Sequence, residues 1–344
     1  MPTRDLPLLP TTVVGSHGFP SWFWTALEEI KKGNYGVTDL RETFDDAVNI
    51  AILDQERAGV DIISDGEMRR FFFVQNFYKR MQGLEPIEPL RKVGLYGYDS
   101  PPRYRPVERI VVPQGLGIVD EFKYLKAHTI RATKVCCPGP LTLTIHIQLK
   151  DAVIYKDRLE LCQDLAKTVN AELKALVAEG ADFLQIDEPS YAIVPGQLKD
   201  YIDLYNQCVE GVKAKIALHI CFGNLASRPR GKRTYRWMFP ELLNARCDQF
   251  VFEYANREMS EIELWKEFGI DRELGAGLID VKSFYIETPE DVAGRIRETL
   301  KYVPVEKLFI NPDCGFFPVP RWLTFEKLKA MVAGTKIVRK ELGG

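Results

Sequence analysis

The chain lacks several features that would have narrowed its function at once. Its 344 residues carry 46 basic against 48 acidic side chains, a net charge of −2. No excess of one sign therefore argues for nucleic acid or a membrane surface as a partner. No stretch reaches the roughly 18 uninterrupted apolar residues of a membrane-spanning helix. The opening segment MPTRDLPLLPTTVVGS has no basic stretch followed by a long apolar one, so no signal peptide is expected. Seven cysteines, an odd number at irregular spacing, do not make a disulfide framework and point to a reducing, cytoplasmic setting. Internal repeats and low-complexity tracts are absent.

What is present is a composition 46 % hydrophobic and an alternation of short β-branched runs with amphipathic stretches, the pattern of βα units. Strands are predicted at 12–15, 61–64, 131–136, 183–186, 216–220, 249–252, 273–278 and 308–310. Helical periodicity covers 39–58, 158–179, 198–212, 259–268, 289–302 and 325–342. Thr38 and the Thr288-Pro289-Glu290 run mark helix starts, and Gly59 and Gly180 mark helix ends. Eight strands alternating with helices favour a closed (β/α)8 TIM barrel, one domain over 1–344. The exception is 83–121, a proline- and tyrosine-bearing insertion after the second βα unit. It is longer than an ordinary connection, so it reads as a lid or an added hairpin near the mouth.

In a barrel of this kind the C-terminal strand ends converge on one mouth, where the chemistry resides. Just past those ends lie His219 and Cys221, Glu253, and Cys314. Two thiols, an imidazole and a carboxylate are the ligand types of a tetrahedral zinc site. A zinc rich in thiolates suits the activation of a sulfur substrate. Other strand ends present Ser16 and His17, Asp65 and Glu67, Cys136 and Cys137, Asp187 and Glu188, Asp280 and Lys282, and Asp313. Taken singly, most have plain structural readings. Cys136, Cys137, Cys162, Cys208 and Cys247 read as packing residues, and His128 and His146 have no partner pattern. Glu188 either holds its loop or contacts substrate. Trp22 and Trp24 either cover the mouth or bury in the core. The basic run 227–236 is a solvated loop or a contact for an anionic donor or a donor-carrying protein.

The landmarks TTVVGS, SDGEMRR, FLQIDEPS, LHICFGN, FEYA, GLIDVKS and NPDCGF occur in one order over almost the whole chain. In this the chain resembles the catalytic C-terminal half of cobalamin-independent methionine synthase. The resemblance implies a zinc methyltransferase barrel that converts L-homocysteine to methionine, with Zn2+ on His219, Cys221, Glu253 and Cys314. It also implies an amino-acid site at Ser16, Glu67 and Asp187. The long enzyme of that family carries a further N-terminal barrel for which 344 residues leave no room, so the chain looks like a short, single-barrel form. Where the long enzyme has a histidine thought to protonate the departing folate nitrogen, this chain has Lys282. That substitution favours a methyl-corrinoid, free or protein-bound, over methyl-tetrahydrofolate as donor. Lys282, with Asp280, is the candidate catalytic pair; its alternative role is an ion pair with Asp280 or a neighbouring acid. Two further readings stay open: alkyl transfer to another thiol such as coenzyme M, and a non-catalytic zinc-binding docking protein.

Overall fold

The structure is a computed structural model that describes residues 6–70, 73–87, 102–150, 153–223 and 232–343. Six strands, Val135–Pro138, Phe183–Asp187, Lys215–Ile220, Gln249–Glu253, Glu273–Ile279 and Leu308–Pro312, form one parallel sheet in chain order. The short strand Ile62–Ile63 pairs in parallel with Ala132–Thr133, which runs into Val135–Pro138. Thr12 bridges Ile62 and Thr11 bridges Ile310, both parallel. These two bridges join the ends of the sheet, so eight strand positions close into a ring, as the alternating pattern predicts. Closure removes free edges from the barrel, and each barrel strand position keeps both neighbours.

Successive side chains on a strand face opposite ways. One set fills the barrel: Val14, Ile62, Ala132, Phe183, Ala217, Val251 and Phe309 form an apolar cluster. Two and four residues beyond Phe183 on the same strand come Gln185 and Asp187, and His219 stands two beyond Ala217. Period two thus carries each strand from an apolar interior to a polar mouth. The other set packs against the outer helices Val37–Ala58, Arg158–Ala178, Leu198–Cys208, Pro289–Thr299 and Arg321–Glu341.

Some local expectations shift. The long helix before the second strand is capped by Gly36, whose N–H donates to Asp39 at 2.7 Å, and Thr38 lies inside the helix. The periodicity at 259–268 shortens to the helix Leu264–Glu267, because Glu258, Met259 and Glu261 adopt positive φ and break the preceding turn. Helices Ser21–Lys31 and Ile118–His128 went unread. Within 83–121 the strands Gln82–Ile87 and Arg103–Val111 form an antiparallel hairpin; residues 88–101 lie outside the described residues. Helix Ile118–His128 follows the hairpin and leads to the third strand, so the hairpin rises from the loop that leaves the second strand. It is tied down at several points. Tyr104 N–H donates to the His146 carbonyl and Gln148 N–H to the Tyr104 carbonyl, at 2.9 and 2.8 Å. Arg109 also pairs with Glu160 and Asp164 on the helix Arg158–Ala178.

Candidate active site

A cavity of about 510 Å3 opens at the mouth of the barrel. Ser16, Glu67, Asp187, His219, Cys221 and Cys314 all line it. Six residues from five separate strand ends thus share one space.

At one end, the sulfurs of Cys221 and Cys314 lie 3.4 Å apart. With a ring nitrogen of His219 they form a group whose atoms all lie within 4.8 Å of one another. His219 Nδ1 meets Asp187 Oδ1 at 2.8 Å. A carboxylate can only accept, so Nδ1 carries a proton, and Nε2 offers its lone pair whenever the ring is neutral. Nε2 is buried and has no hydrogen-bond partner among the described residues. Burial disfavours charge on His219, yet Asp187 and the neighbouring Cys314 outweigh it and raise the imidazole to about 9. The hydrogen bond from Cys221 holds the Cys314 thiol below its usual range, against burial, with His219 adding to the effect. Cys221, which keeps the shared proton, moves the other way.

Glu253 stands beside this group without belonging to it. Its Oε2 accepts from the Phe222 N–H at 3.2 Å and from Lys282 Nζ at 2.9 Å. Its Oε1 is buried and unpartnered among the described residues. Lys282 therefore pairs with a neighbouring acid, and that acid is Glu253, not Asp280. Burial opposes the Lys282 charge, but Glu253 and then Cys314 raise its pKa. Neither Lys282 nor Asp280 lines the cavity. Asp280 Oδ1 accepts from the Lys282 N–H and from Asn256 Nδ2, which orders the loop.

At the other end, Asp187 and Glu67 face each other. Asp187 Oδ1 also accepts from Gln185 Nε2 at 2.7 Å, while its Oδ2 is buried without a partner among the described residues. Glu67 sits at φ +53 after Gly66, a turn that aims its side chain inward. Burial, opposed by Arg70 and reinforced by Asp187, pushes the Glu67 carboxyl up to about 8. Arg70 bonds Glu67 at 3.0 Å and Glu121 at 2.8 Å, with all three side chains largely buried. The Ser16 hydroxyl accepts from the Phe317 N–H at 3.2 Å. Gly315 makes that contact feasible, since a Cβ there would fall 2.2 Å from Ser16 Oγ.

The remaining candidates divide plainly. Glu188 holds its neighbouring loop: its carboxylate accepts from Leu141 N–H, Thr142 N–H and the Thr142 hydroxyl at 3.1, 3.1 and 2.8 Å. His17 is buried against Asp54 at 3.0 Å, outside the cavity. Trp24 packs on Phe19 and Phe317, which form cavity wall, whereas Trp22 is 39 % exposed and does not join the core. Of the basic run 227–236, residues 227–231 lie outside the described residues. Sequence reasoning missed Arg70, Arg103, His146 and Arg158, which line the cavity. The three-residue spacing of Glu67 and Arg70 was a usable signal; nothing local marks the others. It also passed over the role of Asp313, whose carboxylate accepts from Tyr254, Ala255 and Asn256 N–H groups and fixes the loop after Glu253.

Comparison with known proteins gives a consistent result. Residues 9–337 match the family described as the catalytic domain of cobalamin-independent synthase. A methionine synthase of Saccharolobus solfataricus is 37 % identical over 338 residues, covering 98 % of this chain and 97 % of that protein. One from Sulfurisphaera tokodaii is 38 % identical over 339 residues, 98 % of this chain and 95 % of that protein. Among solved structures, a B12-independent methionine synthase from Shewanella sp. W3-18-1 in complex with selenomethionine superposes with a TM-score of 0.82. It is 30 % identical, with 97 % of this chain and 99 % of that one covered.

Proposed function

The chain belongs to the cobalamin-independent methionine synthase family and is a methyltransferase of that type, and we propose that it methylates the sulfur of L-homocysteine at a zinc held by His219, Cys221, Cys314 and Glu253. The observation that carries this reading is the sharing of one cavity by the thiol pair and the carboxylate pair. The donors present fit zinc: two sulfurs 3.4 Å apart, an imidazole nitrogen without a partner, and an orphaned carboxylate oxygen on Glu253. Bound there, zinc would keep the substrate sulfur as a thiolate at neutral pH without quenching its nucleophilicity.

The chain's own residues do the orienting. Asp187 uses Oδ1 to hold the His219 ring in one tautomer, and Oδ2 is free to accept from the substrate ammonium. Glu67 is the second acceptor for that ammonium, and Ser16 with nearby N–H groups takes the substrate carboxylate. Two carboxylates suit an amino-acid thiol and repel the sulfonate of coenzyme M. A sulfur fixed against a fixed methyl removes much of the entropic barrier to transfer.

Lys282 supports a corrinoid donor. Its ammonium is engaged by Glu253 at 2.9 Å and Lys282 does not line the cavity, so it is not free to serve a departing amine nitrogen. Cobalt leaves a methyl group without needing a proton. The pinned hairpin, with Arg103 on the cavity wall, reads as a fixed rim on the donor side and not a swinging lid. Among the described residues no helix is long and apolar enough to cross a membrane, and seven free thiols suit a reducing cytoplasm.

The test is methionine formation from L-homocysteine by zinc-loaded protein, with methylcobalamin and methyl-tetrahydrofolate supplied separately. Product with methylcobalamin alone is expected. Product with the folate alone would overturn the donor, and transfer to coenzyme M but not to homocysteine would overturn the acceptor.

A further inference from the structure

Cys136 has no part in the reactions above, and its surroundings are unusual for a packing residue. Its sulfur, a Glu67 carboxylate oxygen and an Asp187 carboxylate oxygen lie within 4.8 Å of one another, all on buried residues. Asp187 is 2 % exposed, and with Oδ1 engaged by His219 and Gln185, its unpartnered Oδ2 remains to serve this group. Gly15 keeps the space between the other two clear. A Cβ at that position would stand 2.7 Å from Glu67 Oε1 and 3.3 Å from Cys136 Sγ.

An ammonium ion asks for oxygen acceptors, and a thiol adds little for it. A thiol flanked by two carboxylates is a donor set for a thiophilic divalent cation, because zinc accepts cysteine sulfur and carboxylate oxygen together. We propose that Glu67, Cys136 and Asp187 form a second, weaker zinc site, and that filling it shuts out the substrate ammonium. It is weaker than the first because it offers one sulfur where the first offers two. Glu67 is moreover already engaged by Arg70 at 3.0 Å. Free zinc beyond the level that fills the first site then inhibits in competition with homocysteine. The inhibition rests on the reading of Glu67 and Asp187 as ammonium ligands; the metal site itself does not.

Equilibrium dialysis against buffered free zinc, with bound metal read by elemental analysis, tests the site in the wild type, Cys136→Ala and Cys136→Ser. The wild type should take up a second equivalent as free zinc rises, and both variants should stop at one. Retention of that first equivalent reports that the variants are folded. One equivalent in all three proteins, or two in all three, overturns the site. For the inhibition, the homocysteine KM should climb severalfold between one and two equivalents in the wild type at unchanged kcat. Cys136→Ala corrects for zinc taken up by free homocysteine, and an equal KM rise in that variant overturns the exclusion. Dialysis needs no turnover, so a failure to form methionine would reject the proposed function and leave the metal site standing.

Discussion

At the thiol end of the cavity, Cys221 and Cys314 lie 3.4 Å apart under His219, and neighbours decide who holds the protons. Cys314, half-buried on the cavity wall, is driven below its usual range against the cost of burial, because Cys221 and His219 both favour its anion. At the carboxylate end burial prevails. Glu67 has Arg70 within 3.0 Å and still rises to about 8, since Asp187 and Asp65 add to the cost of a second buried negative charge. The lesson is that burial alone does not set a group's protonation. One favourable partner at hydrogen-bond range can overcome it, but a cation already shared with Glu121 does not. Under the proposed function the thiol end would ligate zinc and the carboxylate end would receive the substrate ammonium.

The sharpest break in that contrast comes from removing a sulfur. Cys221→Ser and Cys314→Ser should each lose zinc and methyl transfer together, with activity falling to background, as read by elemental analysis and turnover. Asp187 joins the two ends, so Asp187→Asn should injure both. Zinc affinity should fall about 10–100-fold, as for other partners of ligating histidines, and the homocysteine KM should rise; retention of wild-type affinity in a chelator competition would remove Asp187 from the thiol end. Lys282→Met leaves Glu253 as an unpaired buried charge. It should destabilise the metal-free protein by about 3–5 kcal/mol in urea denaturation, and adding Glu253→Gln should restore most of that loss.

The carboxylate end has a pH signature. The folded chain keeps a proton on Glu67 between the ordinary carboxyl range and about 8, which the unfolded chain releases. Stability from this group is therefore complete below the ordinary carboxyl range and is lost as pH rises through about 8. Binding follows the opposite sign: norleucine, which has no thiol, should bind more tightly as pH rises through about 8, and Glu67→Gln should flatten that dependence in calorimetry. The smallest effect is expected at Asp280, which touches neither end. Asp280→Asn should cost about 1 kcal/mol in denaturation and leave zinc content and homocysteine KM unchanged.

Much of the fold could be read beforehand because barrel strands are short, buried and β-branched, and the helices between them are amphipathic. The hairpin was half legible: prolines and length marked 83–121 as an insertion, but pairing across residues 88–101 has no local signal. The helix Ile118–His128 hid in that same stretch. Ser16, Glu67, Asp187, His219, Cys221 and Cys314 were marked by their strand ends, and all six meet. Glu253, Lys282 and Asp280 were marked in the same way and do not line the cavity. A strand end predicts which face a residue occupies, and it does not predict whether the side chain points to the lumen or into a neighbour.

By itself the sequence determined the donor types and their order along the chain. Those follow from residue chemistry and from period-two alternation, which are local. The tertiary structure decided the partnerships: Glu253 with Lys282, Asp187 with His219, Arg70 between Glu67 and Glu121, and Cys136 against both carboxylates. Apart from Glu67 with Arg70, three residues away in one loop, each joins groups from different elements. Their separation depends on how the ring of strands closes and on which side chains share its interior, which no short window of sequence encodes.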